Sequence, residues 1–290
     1  MEKILPLPWR IKMGQWLIEF KKTPLLKRIS LWLMCLAVVF IVALKPDRTG
    51  WDYFHIFGWP LMALSLFLGW RTKESVWLKT LILFAYTIAV LFLTRGDSDF
   101  SNLHLLELTI NLGVGIIVIP ALLAKFWLKT PLEYRWLKGK WTWKMWLWLP
   151  TGFLIAFGVF WVYFNALTPD LHTSWPLIGE QSEALSRIFW TCNVGGFWDE
   201  LVWINLVYCL LLRHFSHWEA NLAQAFFFTS FLYDVAFFGA GPYIIYLFAL
   251  IQGYTYKKTG SLLYLVILHL IVDIVLFTMI SNRYFPGWGL

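Results

Sequence analysis

The chain has 290 residues, of which 59% are hydrophobic and 14% are charged. Soluble domains carry about 45–50% apolar and about 25% charged residues, so this composition excludes a soluble globular protein of this length. The net charge of +7 lies largely in loops between apolar segments, where anionic lipid can balance it, and it therefore predicts no nucleic-acid partner.

Nine apolar segments follow one another along the chain, and each can cross about 30 Å of hydrocarbon as a helix. The first and the eighth are the shortest. The predicted spans lie at 29–44, 54–70, 76–94, 104–124, 145–166, 186–212, 218–238, 242–256 and 260–281. The sequence therefore predicts an all-α, polytopic transmembrane helical bundle with eight or nine spans.

Basic residues lie mainly on one side of the predicted membrane. If the N-terminus is cytoplasmic and the loops alternate, 19 of the 24 Lys and Arg residues fall on the cytoplasmic side. This asymmetry follows the positive-inside rule. We therefore expect a multi-pass integral protein of a bacterial cytoplasmic membrane, with its N-terminus inside and its C-terminus outside.

Three regions of the chain differ in composition. Residues 1–28 place Trp9 and Trp16 on one helical face, opposite basic residues, which predicts a cytoplasmic amphipathic segment in the membrane interface. Residues 29–130 are predicted to form N-terminal transmembrane helices, whose spans contain few ionisable groups. A stretch rich in basic residues then leads into a C-terminal transmembrane core at residues 131–290.

Five ionisable residues fall inside the predicted spans of this core: Asp199, Glu200, Asp234, His269 and Asp273. An ionised carboxylate in mid-membrane costs roughly 2.5–3.5 kcal/mol, so four unpaired carboxylates would cost on the order of 10 kcal/mol. Each carboxylate must therefore be protonated, paired with a positive charge, or hydrated in a cavity. We therefore expect the three helices that carry them to meet around one hydrated cavity.

Local sequence adds detail to this expectation. His269 and Asp273 are four residues apart and share one helix face. The glycine pair at 195–196 is able to break the sixth span. If the helix restarts near Phe197, the acidic pair at 199–200 lies in its first turn, where the helix dipole favours negative charge.

Such a set of residues is suited to hydrolysis. A buried carboxylate can take a proton from water, and a nearby imidazole can hold that water or stabilise an oxyanion. The residues Glu200, His269 and Asp273 could alternatively hold a divalent metal such as zinc, although one histidine with carboxylates is a weak zinc signature. No cofactor is otherwise indicated.

Two stretches resemble motifs of the CAAX protease and bacteriocin-processing (CPBP) family of intramembrane proteases. The stretch TGSLLYLVILHLIVD resembles the family's His-x-x-x-Asn/Asp motif through His269 and Asp273, and includes its Thr-Gly-Ser entry. The stretch DELVWIN resembles the Glu-Glu-x-x-x-Arg motif. Asp199 and Glu200 stand on the acidic pair, and Ile204 replaces the arginine.

The family's remaining motif, Phe-x-x-x-His, has only a degraded counterpart in TSFLYDVAF. Tyr233 stands at the phenylalanine position and Phe237 at the histidine position. The resemblance covers roughly residues 180–281, over which the order, spacing and helix placement of the motifs agree. This chain therefore lacks two residues of the family motifs: a histidine that, in the family, positions water or a metal, and an arginine that orders the acidic pair.

The resemblance implies a role for each polar residue. Glu200 would be the general base that activates water, and His269 would stabilise or orient the water or the oxyanion. Asp273 would orient His269, and Asp199 or Asp234 would complete the polar shell. The implied activity is hydrolysis of peptide bonds in membrane-embedded or lipidated proteins, near the cytoplasmic half of the membrane.

Two other functions fit the same residues. A non-catalytic scaffold could keep this fold and bind transmembrane or lipidated partners, because a fold does not fix a function. A proton-coupled transporter is a third possibility, since helices interrupted beside carboxylates also occur at transport sites. The nine predicted spans do not divide into two equal repeats, which argues against the transporter.

Overall fold

The computed structural model describes residues 23–45, 53–94, 101–129, 132, 136, 141–168, 180–234 and 239–287. The predicted interfacial segment, as far as residue 22, and Phe237 lie outside these ranges. Within them the chain forms nine helices and no strand. The predicted all-α, polytopic helical bundle is confirmed.

The helices follow the predicted spans in order. They are α1 (Leu25–Ala43), α2 (His55–Arg71), α3 (Ser75–Leu93), α4 (Asn102–Phe126), α5 (Trp143–Leu167), α6 (Gln181–Leu211), α7 (His217–Asp234), α8 (Gly241–Thr259) and α9 (Leu262–Tyr284). Six of the described helices are long and apolar enough to cross a membrane, namely all except α2, α7 and α8.

Helix α1 begins four residues before the predicted span. Pro24 caps it, with an extended backbone at φ −56° and ψ 140°. Proline lacks a backbone N–H and disfavours helix in the residue before it, so it marks the start of a helix. The helix therefore takes in Lys27 and Arg28, which the sequence analysis assigned to the interfacial segment.

Helix α6 runs through its two glycines without a break. It is α-helical from Gln181 to Asp199 and continues as a π-helix from Glu200 to Tyr208. The helix does not restart near Phe197, so the condition for placing the acidic pair at a helix N-terminus is not met. This π-helical segment begins at Glu200, and α1, α4 and α5 contain π-helical segments of their own.

Helices from both halves of the chain share one hydrophobic core. Leu31 of α1 and Trp77 of α3 belong to the same buried cluster as Trp203 of α6, Phe227 of α7 and Leu265 of α9. The N-terminal helices are therefore packed directly on the helices that carry the polar residues. The division of the chain near residue 130 stays a prediction.

Ion pairs also join the two halves at both ends of α7. At the α1 end, Arg28 Nε lies 2.7 Å from Glu219 Oε1. At the other end, Lys45 Nζ lies 2.6 Å from Asp234 Oδ2. Lys27 pairs with Glu74, which fixes α1 against the start of α3. The first two of these ion pairs hold α7 against α1 and the residues that follow it.

Candidate active site

The centre of the polar cluster is a contact between α6 and α9. His269 Nδ1 lies 2.9 Å from Glu200 Oε1, and both side chains are buried. Glu200 is fully shielded, with an exposed fraction of 0%. The predicted meeting of these two residues is present in the structure.

A third polar side chain reaches the same place from α8. Gln252 Nε2 donates to Glu200 Oε1 and lies 3.0 Å from His269 Nδ1. This residue is uncharged, so the cost of burying a charge does not single it out in the sequence. The available signal was an isolated amide in an otherwise apolar segment, which must find a partner within the protein.

Two carboxylates face the other nitrogen of the imidazole. His269 Nε2 lies 4.0 Å from Asp199 Oδ2 and 3.7 Å from Asp273 Oδ1. These distances exceed a hydrogen bond and lie within the range of an ion pair when the imidazole is protonated. Asp199 Oδ1 accepts a hydrogen bond of 2.8 Å from Trp203 Nε1, which fixes the orientation of its carboxylate.

The glycine pair of α6 lets the helices approach closely at this point. A Cβ atom on Gly196 would collide with the Asp273 carboxylate and would lie 3.0 Å from His269 Cδ2. The same atom on Gly195 would meet no atom within 4 Å. The function of Gly196 is therefore close packing against α9, not the predicted interruption of its own helix.

The cluster lies in the wall of a large cavity, about 1600 Å³ in volume and lined mostly by apolar side chains. Asp199, His269 and Asp273 line it. Along α5 the lining runs from Lys144 to Tyr163, which is about 28 Å at the rise of a helix and matches the hydrocarbon thickness of a bilayer.

Asp234 does not share this position. Its Oδ2 pairs with Lys45 Nζ at 2.6 Å, and the same ammonium group donates to the backbone oxygens of Leu91 and Thr94. The prediction that Asp234 faces one cavity together with Glu200 and His269 is therefore wrong. A buried carboxylate needs a counter-charge, and it finds one on Lys45, just beyond the end of α1 and 189 residues away in sequence.

The degraded motifs differ in what surrounds them. Ile204, which stands in place of the family arginine, is fully buried in the core. Phe237 lies outside the described residues. Among the described aromatic rings, Phe228 of α7 lies 6.2 Å from the ring of His269 and Phe248 of α8 lies 5.0 Å from it, centroid to centroid.

The proposed metal ligands do not fit a metal centre. Glu200 approaches Nδ1 of His269, whereas Asp273 faces Nε2 on the other side of the ring. One ion cannot bind both carboxylates together with the imidazole between them. Within the described part of the chain, no three His, Cys, Asp or Glu side chains are grouped to hold a metal ion.

One family of known proteins matches the part of the chain that contains the cluster. Residues 181–275 match the family described as type II CAAX prenyl endopeptidase Rce1-like, within the CPBP family. The match contains the whole cluster, from Asp199 to Asp273. Comparison with curated proteins and with solved structures gives no significant match.

Proposed function

We propose that this integral membrane protein is an intramembrane endopeptidase, because residues 181–275 match the family model of type II CAAX prenyl endopeptidases. It hydrolyses peptide bonds of membrane-embedded or lipidated proteins. The observation that carries the proposal is the buried Glu200–His269 pair, whose imidazole reaches into a cavity as long as the bilayer is thick.

The hydrogen bonds support a particular assignment of roles. In this proposal Glu200 is ionised and only accepts hydrogen bonds, so His269 donates its Nδ1–H to Glu200 Oε1, 2.9 Å away. The neutral imidazole then presents a lone pair on Nε2 to the cavity. His269 is accordingly the group that takes a proton from water, and Glu200 acts through it. This replaces the role of direct base that the family resemblance implied for Glu200.

The reaction follows from these positions. A water molecule between Asp199 and Asp273 gives a proton to His269 Nε2 while its oxygen bonds to the carbonyl carbon of the peptide. Glu200 stabilises the resulting imidazolium. His269 then transfers the proton to the leaving nitrogen as the carbon–nitrogen bond breaks, which restores the neutral imidazole.

The cavity supports a substrate class. The family that matches is named for the cleavage of prenylated CAAX proteins. A mostly apolar cavity of about 1600 Å³ is well above the usual 300–1,000 Å³ of ligand pockets. It has room for a lipid chain or an unwound transmembrane segment next to the scissile bond.

The alternative is a scaffold that keeps the fold without cutting. Ile204 in place of the family arginine favours this alternative, because it removes a charge beside the acidic pair. N-terminal proteomics of membranes from cells that express the wild type or Glu200→Gln distinguishes the two. The protease yields N-termini that the variant lacks. Identical profiles of N-termini would establish the scaffold, provided that deletion of the protein still produces a phenotype.

A further inference from the structure

Gln252 occupies a central position that none of the three family motifs accounts for. Its side chain is 2% exposed, and its amide nitrogen contacts both Glu200 Oε1 and His269 Nδ1. Its neighbours Ile251 and Tyr254 line the cavity. Gln252 therefore faces the catalytic pair from behind, on the side of the imidazole that lies away from the reacting water.

Two donors converge on one carboxylate oxygen. Glu200 Oε1 accepts from the imidazole Nδ1–H and from the Gln252 amide. A buried carboxylate with a single donor can rotate about its own bond and lose the imidazole. The second donor, fixed on a different helix, restricts that rotation and thereby keeps the Nε2 lone pair aimed at the cavity.

This contact supplies a polar partner where the second family motif offers none among the described residues. The described part of α7 presents the ring of Phe228 to His269, and the amide comes from α8. We propose that Gln252 is a positioning residue of the hydrolytic site, which holds Glu200 so that His269 keeps its catalytic orientation. The inference rests on the proposed protease function.

A matched control is available one helix away. Gln224 of α7 is also fully buried and donates to the backbone oxygen of Ala249 at 2.8 Å and to Asn221 Oδ1 at 3.0 Å. It joins α7 to α8 and does not contact the catalytic pair. Replacing either glutamine by methionine keeps the length of the side chain and removes its amide.

The test measures kcat and KM of the purified, full-length protein on a cleaved membrane protein. Gln252→Met should lower kcat by about 10- to 100-fold, as expected for the loss of a hydrogen bond to a charged group. KM should stay unchanged because Gln252 lies behind the cavity wall. Gln224→Met should keep the wild-type kcat.

A second variant distinguishes positioning from packing. Gln252→Glu has the same length, and its carboxyl donates only when it is protonated. Its activity should be close to that of the wild type at low pH and should fall as the pH rises, with a step that the wild-type profile lacks. It also provides the same test if Gln252→Met does not fold.

The outcomes separate the two proposals. Absence of cleavage by the wild type would overturn the protease function and the role of Gln252 together. The role of Gln252 alone would be overturned if the wild type cleaves, Gln252→Met has the same kcat as Gln224→Met, and the pH profile of Gln252→Glu has no additional step.

Discussion

Glu200 Oε1 and His269 Nδ1 are 2.9 Å apart, although 69 residues separate them in the chain. The contact joins α6 to α9 and leaves the opposite nitrogen of the imidazole facing Asp199 and Asp273. A carboxylate on one ring nitrogen and a cavity on the other is the arrangement by which hydrolases orient a histidine base.

Gly196 should be indispensable for this geometry. In Gly196→Ala the new methyl group would displace Asp273 and the ring of His269, and a misplacement of about 1 Å can cost about 100-fold in rate. We expect a loss of that order in the cleavage rate. Gly195→Ala, which meets open space, is the matched control and should retain activity. Equal rates for the two variants would show that the close packing at Gly196 is unimportant for catalysis.

Asp234 should matter for stability and not for chemistry. Asp234→Ala leaves Lys45 buried without its carboxylate partner, which should destabilise the protein by about 3–5 kcal/mol. Thermal unfolding in detergent would measure this loss. The folded variant should cleave at the wild-type rate, and a double variant with Lys45→Met should recover part of the stability. If Asp234→Ala is stable but inactive, Asp234 belongs to the catalytic site after all.

Acidification should destabilise the protein partly through His214, in the loop between α6 and α7. Burial, together with the positive charges of Lys27 and Arg213, lowers the pKa of His214 from 6.5 to about 4. Between these values the unfolded chain binds a proton that the folded chain does not, so stability is lost as the pH falls from 6.5 towards 4.

In His214→Phe, which keeps a ring against Trp77, that loss should be smaller. The measurement is the change in Tm between pH 7 and pH 5 for the wild type and the variant. An equal change in both would mean that other groups account for the acid sensitivity.

The orientation can be tested at two positions. Reporter fusions at Lys257 and at Leu290 should report opposite sides of the membrane, with Lys257 cytoplasmic, because α9 (Leu262–Tyr284) lies between them. Reporters on the same side would require that α9 does not cross the membrane.

The sequence predicts the site only as far as charge and helix periodicity allow. A spacing of four residues puts His269 and Asp273 on one face of α9, and the cost of isolated charges in lipid requires Asp199 and Glu200 to meet them. The structure agrees on these four residues. The all-α fold class and the order of the helices along the chain also follow directly from the apolar segments.

What the sequence does not reveal depends on packing between distant segments. Lys45 follows directly after the predicted first span (29–44), and only the packing of α1 against α7 brings it to Asp234. Gln252 carries no charge, so the cost argument that identified the carboxylates does not single it out. Which nitrogen of His269 faces Glu200 follows from the crossing of α6 and α9, which no local pattern encodes.

The Glu200–His269 pair is proposed to perform the hydrolysis itself. The most direct measurement is cleavage by purified protein in proteoliposomes, reconstituted with membrane proteins from cells that lack it and analysed for new N-termini. We predict that the wild type generates them and that Glu200→Gln does so about 10²–10⁴ times more slowly. His269→Ala should match it, and the double variant should be no slower. New N-termini produced at equal rates by the wild type and by a folded Glu200→Gln would contradict this account.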